Sequence, residues 1–511
     1  MMNDVTNIKI DPSKFQFAHK ENIHDKKLET KPIGYFHDAW RRFRKNKASV
    51  VATVIIIFLL LFSFLVPIFC SNAYTRSTND TERLKYQKLL PKVEWLSFMG
   101  VNGCKDTKIN EAAYNQYRAM GIETGMSPIH EVKKGSPYTE TVGGKESTYY
   151  DISLDTYYAL GMNYFTLTEE QYLNIQAWQN ESKIQVIYPA VVTSKLPVSK
   201  RTDANIWYMA DQKGIPKLDS DGNFVDIYKT SGSDKYDSIR VSWDDGTLRY
   251  SNPAGTSAAP GYTVRINLYN YFIYKYGFEP CFAFGTGADG LDILTRLASG
   301  AQFSFLFAIC ISAINLVLGA IFGSIEGFFG GAIDLFMERV SDILSGVPFM
   351  VVTTLFQLHL AKHVGVVPSL LFAFVLTGWI GTASTVRMQF YRYKSQEYVM
   401  VARTLGAKNG RLMFRHIFPN AIGTIITSSV LVIPSTIFSE SSLTYLGIVN
   451  LESSGMTSVG TMLANGRGFL STDPHIILFP AIFISLLMIT FNLFGNGLRD
   501  AFNPSLRGSE D

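Results

Sequence analysis

Few residues in this 511-residue chain have types and spacings that support chemistry. Gly327-x-x-Gly330-Gly331 has no Gly-Lys-Ser/Thr after it and no strand before it. It is therefore no phosphate cradle, and the chain binds no ATP by that route. His359, His363 and His475 are scattered, so no metal site is expected. The cysteines Cys70, Cys104, Cys281 and Cys310 show no Cys-x-x-Cys spacing. Cys310 lies in an apolar run and reads as a small buried hydrophobe. Cys104 and Cys281 bracket a long polar stretch. If that stretch is outside the cell they are either bridged or two separate thiols, and the sequence does not choose. No Ser/His/Asp or Cys/His arrangement supplies a nucleophile, so neither catalysis nor a cofactor is expected of this chain.

Glu440 stands in an otherwise apolar or hydroxyl-rich run. An ionisable group at membrane depth is costly and faces a cavity or a partner. With Thr436 and Ser439 it is a candidate pathway or gate residue. Counted from Ala421 it lies about 28 Å along a helix, near one interface. That depth favours the plainer role, in which the carboxylate reaches water or caps a neighbouring helix.

The segment Glu397–Asn420 carries more information. Val399, Ala402 and Leu405 fall at helical spacing, and Gly406 can end that helix in a left-handed cap. A second amphipathic helix holds Leu412, Met413, Phe414 and Ile417, and Pro419 is expected to break it where a span begins. Arg403, Lys408, Arg411 and Arg415 give the hairpin a basic rim. Two readings fit: a knob that transmits a push from a cytosolic partner, or an interfacial hairpin resting on lipid headgroups.

These residues need a membrane scaffold. The hydrophobic fraction is 47% and the charged fraction 18%. Stretches of about 20 residues nearly free of charge match the length of a membrane-crossing helix. Six are expected: Val50–Cys70, Phe303–Gly323, Ile343–Ala361, Val366–Arg387, Ala421–Tyr445 and Ile476–Leu498. The first is too long for a cleavable signal and reads as a retained anchor. Cations before it (Arg41, Arg42, Arg44, Lys45, Lys47) and in the loop after the fourth span put both termini and the hairpin in the cytoplasm. The outer loops carry one cation each, Lys362 and Arg467. The net charge of +4 shows no concentrated basic face and argues against a nucleic-acid partner.

The fold expected is thus an all-α polytopic membrane protein with a large α+β extracellular insert. A cytoplasmic tail, 1–47, reads as weakly ordered over its first 36 residues and precedes the first helix, 48–70. The insert, 71–281, is long enough to bury a core. Turns are expected at Lys134–Pro137 and Thr256–Pro260, and strands at Ile184–Tyr188 and Tyr262–Ile266. Tyr157–Glu170 and Ile266–Gly277 fit helix or strand. A linker, 282–302, follows; Leu291, Ile293, Leu294 and Leu297 make it an amphipathic helix lying on the outer membrane face. The remaining spans occupy 303–498, with a cytoplasmic loop at 391–420, and 499–511 is a cytoplasmic tail that includes Arg507.

The hairpin resembles the Glu-Ala-Ala…Gly…Pro motif of importer-type ATP-binding-cassette permeases, through Ala402, Gly406 and Pro419. Met400 stands where that family usually has Glu, and Val401 where it has Ala. Glu397, one turn earlier on the same face, is a substitute carboxylate. Further blocks resemble the C-type subunits of the dipeptide/oligopeptide branch: Phe284–Leu297, Gly327–Gly331 with Asp334, Met337, Arg339, Asp342 and Pro348, Glu440–Gly447, Gly460–Arg467 and Phe491–Asp500. Within the first block, Gly287 and Leu291 replace the usual Asp and Arg. The resemblance spans about 35–70 and 282–506 and leaves the insert unexplained.

What the resemblance implies is a type I importer permease fold, without ATPase activity of its own, working by alternating access. It implies that Glu397, Met400, Val401, Ala402, Arg403, Gly406, Ala407, Lys408, Pro419 and Asn420 couple to an ATPase. The implied partners are a homologous second permease, two ATPase subunits carrying ATP and Mg, an extracellular substrate-binding protein and a peptide substrate; nickel complexes and glutathione are alternative cargoes. Rival classes are an anchored receptor or adhesion module, and a membrane-embedded enzyme acting on lipid or peptidoglycan.

Overall fold

A computed structural model describes residues 35–70, 81–229, 239–242, 249–251 and 262–502. The expected tail up to residue 34, the turn at Thr256–Pro260 and Arg507 lie outside the described residues.

Two helices open the described chain, α1 (Tyr35–Lys45) and α2 (Lys47–Phe69), separated by Asn46. The Asn46 side chain accepts from the Ser49 amide, one of the donors that a helix start leaves unpaired. After the insert come α6 (Ile293–Phe329), α7 (Gly331–Ser345), α8 (Phe349–Val364), α9 (Val366–Lys394), α10 (Glu397–Thr404), α11 (Asn409–Tyr445), α12 (Val459–Gly466) and α13 (His475–Phe502). Among the described residues, five helices, α2, α6, α9, α11 and α13, are long and apolar enough to cross a membrane, and α7 with α8 makes a sixth if that bent pair counts as one span.

Two of these elements differ from the sequence reading. The linker is not a separate surface brace. Asp292 caps α6 by accepting from the Leu294 and Thr295 amides, and residues 293–302 are its opening turns. Ile293 and Leu297 are buried among the spans, and Leu291 is buried as well, rather than laid on lipid. Nothing breaks the helix before Gly330, so it runs for 37 residues, about 55 Å, well beyond a hydrocarbon core of roughly 30 Å. The third expected span is not straight either. α7 and α8 meet at a 72° bend across Gly346-Val347-Pro348. Proline lacks an amide hydrogen and pushes its predecessor out of helical geometry.

α6 and α9 pack through a glycine ridge. A Cβ at Gly319 would sit 2.6 Å from Thr382 Cβ, and one at Gly327 would sit 2.6 Å from Phe390 Cβ. At Gly323 the carbonyl of Ala383 occupies the place of a side chain. Small residues every four positions let backbones approach where the hydrophobic effect between spans is absent.

The insert between α2 and α6 mixes strands with the helices α3 (Glu111–Thr124), α4 (Glu169–Ser182) and α5 (Leu268–Tyr276). One antiparallel sheet has β4 (Lys145–Asp155) paired with β1 (Cys104–Asn110), β2 (Ile129–Val132) and β3 (Tyr138–Val142). A second places β9 (Tyr262–Asn267) between β5 (Met162–Leu167) and β6 (Ile187–Tyr188); β7 (Ile239–Ser242) and β8 (Arg249–Ser251) pair separately. Of the expected strands, 262–266 forms in full, whereas 184–188 shrinks to β6. The two ambiguous segments resolve as strand β5 and helix α5.

An ion pair with a fully buried guanidinium fixes the middle of the insert. Arg265 of β9 grips Glu123 of α3 through both nitrogens, at 2.9 and 2.8 Å, and donates to the Ala204 and Pro189 carbonyls. Burial works against the charged guanidinium, but Glu123 more than offsets it and holds Arg265 charged.

The insert is also tied to the segment that leads into α6 and to the start of α13. The Leu89 amide donates to Thr286 Oγ1, and the Thr286 amide donates to the Leu89 carbonyl, both at 2.9 Å. Lys105 reaches Asp473 at 3.0 Å and the Thr472 carbonyl at 2.9 Å, while Lys88 lies 3.5 Å from the same carboxylate.

Candidate functional site: a basic hairpin and a buried carboxylate

α10 and the first turns of α11 form the hairpin. α10 ends in a Schellman motif: Gly406 adopts φ +82°, its amide donates to the Arg403 carbonyl, and the Ala407 amide donates to the Ala402 carbonyl at 3.1 Å. Glycine takes this left-handed conformation without steric cost. Ala402 and Ala407 make the apolar contact that accompanies the motif, packed with the buried Val399, Leu412, Met413 and Ile417. This cluster continues into Val386 and Phe390 of α9 and Phe328 of α6. The hairpin therefore rests on the ends of two spans and runs into a third.

Pro419 does not break the second helix. Leu412–Ile417 form a π-turn, in which the Phe418 amide donates to the Met413 carbonyl five residues back. The widened turn absorbs the missing amide hydrogen, and α11 continues to Tyr445. The Asn420 side chain closes the hairpin by donating to Tyr398 Oη at 3.2 Å and to the His416 carbonyl at 2.8 Å.

The tip is apolar inside a basic rim. Met400, Val401 and Phe414 are exposed, and Leu405 is 82% exposed. The sequence spacing put Leu405 on the packed face, but it is the C-cap of α10 and points away. Arg403, Lys408, Arg411 and Arg415 are exposed around these side chains, and Glu397 is exposed one turn before Met400. Such a surface can bind a groove with an apolar floor and acidic edges, with the packed cluster behind it as a stiff backing.

Sequence reasoning missed an ionic lock beside the hairpin. Arg387 of α9 binds Asp334 of α7 at 2.6 and 2.9 Å, and Glu338 at 3.0 and 3.1 Å. Tyr391 donates to Asp334 at 2.6 Å, and Lys394 donates to the Gly327 carbonyl at 2.9 Å. The signal was the pairing of Asp334 and Glu338, one helical turn apart, with a cation at the end of a span.

Glu440 is fully buried, away from water. Ser304 of α6 donates to it at 3.0 Å, Thr444 at 3.2 Å and Ser441 at 3.4 Å, and Ser458, the N-cap of α12, also bonds to it. The expected contact with water fails because α12, folded from the following loop, lies over the carboxylate. Its role toward a neighbouring helix holds, since it meets the electropositive start of α12. Thr436 is buried and Ser439 half-buried. The apolar hollow beside α11, about 420 Å³, is lined by Phe438, Ser441, Ser442 and Tyr445.

The structure contains no Cys104–Cys281 bridge. Cys281 donates to the Lys92 carbonyl and Cys104 to the Asn102 carbonyl, across one β-bridge, and burial pushes both thiols up. Cys310 is exposed on the outside of α6 rather than buried, because a span's outward face is covered by lipid and not by protein.

Long apolar helices, a sharply bent helix pair and a cation-rimmed hairpin are the architecture of a multi-pass membrane component. Residues 315–508 match the family described as binding-protein-dependent transport system inner membrane component, and residues 34–91 match the N-terminal TM domain of oligopeptide transport permease C. The oligopeptide transport system permease protein OppC of Bacillus subtilis is 42% identical over 224 residues, which is 44% of this chain and 72% of that protein. The dipeptide transport system permease protein DppC of the same organism is 37% identical over 44% of this chain and 69% of its own length. OppC of Escherichia coli K12 is 32% identical over 44% of this chain and 72% of its own length. The chain belongs to this permease family, as a C-type subunit of its oligopeptide/dipeptide branch. Residues 92–314 fall outside both family matches.

Proposed function

We propose that this chain is the C-type permease subunit of an ATP-driven peptide importer, and that Glu397–Asn420 is where an ATPase subunit docks. The observation that carries the docking assignment is the hairpin itself. It pairs an exposed apolar tip with a basic rim, and it is built onto the ends of α6, α9 and α11. Closure of the ATPases, which hold ATP and Mg, would then pull on three spans at once and rock the pathway between two access states. The named relatives transport oligopeptides or dipeptides, which makes peptides the proposed cargo. A homologous second permease completes the pathway, and a substrate-binding protein delivers the peptide. Both termini lie in the cytoplasm and the insert is an extracellular domain, in keeping with the cations that flank α2 and fill the hairpin.

The missing carboxylate at Met400 leaves the contact to be made mainly by apolar side chains, with Glu397 supplying the ionic one. Gly406→Val tests the docking, because a β-branched residue at positive φ distorts the cap. The expected result is loss of the ATPase subunits on co-purification and loss of peptide uptake, with the membrane core still folded. Retention of both overturns the proposal.

A further inference from the structure

We infer that the short 3₁₀ segment Glu94–Met99 of the insert is a membrane wedge, seated in the lipid leaflet on the insert's side. Trp95 is 74% exposed and Phe98 81% exposed, in a segment that ends at a left-handed Gly100. From Trp95 to Val101 the chain carries no charge. The nearest cation, Lys92, is drawn inward, 3.8 Å from Asp155 and over the ring of Tyr157.

Next to this segment lies an apolar hollow of about 550 Å³, walled by Leu90, Val93, Leu96 and Val101 of the insert and floored by Phe284 and Phe479. Phe479 stacks on Phe284 with ring centroids 4.1 Å apart. It lies one turn inside α13, so the floor of the hollow is a membrane span. Beside it, α13 exposes Leu478, Ile482 and Ile489 on the surface it turns to lipid. The apolar run Ile476–Leu498 is about 34 Å long at helical rise, which puts Phe479 just inside the edge of the hydrocarbon. α2 exposes Ile68 and Phe69 at the end that leads into the insert, the same membrane edge.

The apolar hollow thus joins Trp95 to the end of a membrane span, with Phe98 exposed in the same segment. Aromatic side chains favour this depth, where an apolar ring is covered by acyl chain and headgroup together. A protein partner would be expected to meet a polar or charged rim, and within the segment only Glu94 supplies a charge. The wedge would fix the height of the insert over the bilayer.

The test uses the whole transporter in nanodiscs, with the Trp95→Phe variant isolating one of the six tryptophans by difference. With lipids brominated on their acyl chains, the Trp95 component should fall about twofold, while iodide in the buffer leaves it nearly unchanged. Quenching by iodide and not by bromolipid places Trp95 in water and overturns the wedge. Silence toward both quenchers means a protein covers the segment, and overturns it equally.

Discussion

Glu440 is held by hydroxyls from three helices, with no cation among its hydrogen-bond partners in the described residues. Its removal takes the carboxylate acceptor from Ser304 and Ser441 and opens a cavity, while Thr444 keeps its bond to the Glu440 carbonyl. Glu440→Ala should therefore destabilise the purified subunit by about 2–5 kcal/mol. Glu440→Gln keeps an acceptor and the volume, and should cost about 1 kcal/mol. Thermal unfolding in nanodiscs reads both. Lost uptake in the Ala variant with unchanged unfolding would make Glu440 a pathway residue instead of a brace. Side chains at the hairpin tip should divide by chemistry. Neutralising Arg411 and Arg415 together should weaken ATPase association mainly at low salt, because exposed charges are screened over about 8 Å at physiological ionic strength. Leu405→Ala should weaken it by about tenfold at every salt concentration, as a lost apolar anchor of roughly 1.4 kcal/mol does. Titrating the purified ATPase against the permease across salt separates the two.

At the scale of elements, α6 and α9 are set by what is missing from Gly319, Gly323 and Gly327. Gly323→Ala puts a methyl against the Ala383 carbonyl and should cost about 1–3 kcal/mol through separation of the two helices. Gly381→Ala, in the same helix pair but with open space around it, should be neutral or stabilising. If both variants unfold alike, the ridge is not what joins the spans. These glycines were legible as a four-residue repeat, yet a search for charge-free runs passes over them. Gly406 was legible because a positive φ leaves a mark on residue type. Pro419 was misread for the opposite reason: its cost can be met by a π-turn upstream, which no local pattern announces. Leu405 followed helical spacing one residue past the point where the helix had ended. The surroundings of Glu440 were not legible, because its cover, α12, comes from a loop and its nearest hydroxyl, Ser304, is more than a hundred residues away. Charge-free length found the five long apolar helices, but it could not say that the third expected span is bent or that α6 begins ten residues early.

Across the whole molecule, the insert and α13 are joined through Asp473, which faces Lys105, Lys88 and the backbone around Thr472. Burial pushes the Asp473 carboxyl up, but the hydrogen bond from Lys105 and the charges of Lys105 and Lys88 outweigh it and hold the group below the usual carboxylate range. A carboxylate depressed in the folded protein stabilises it at pH values above the unfolded pKa, near 3.9. That contribution fades as pH falls through the lower, folded value. Docking of the insert onto α13 should accordingly hold at neutral and mildly acidic pH and loosen only in strong acid. Hydrogen exchange in β1, measured from pH 7 downward after correction for intrinsic rate, should show protection that drops late. Asp473→Asn should remove that late drop and lower protection at neutral pH, while ATPase co-purification through the distant hairpin stays unchanged. Because the Leu89–Thr286 pair, which holds the insert to the segment before α6, is untouched by this change, the variant insert should loosen without detaching. Equal protection in wild type and variant at pH 7 would mean that contacts such as the Leu89–Thr286 pair, and not the ionic contact at Asp473, hold the insert in place.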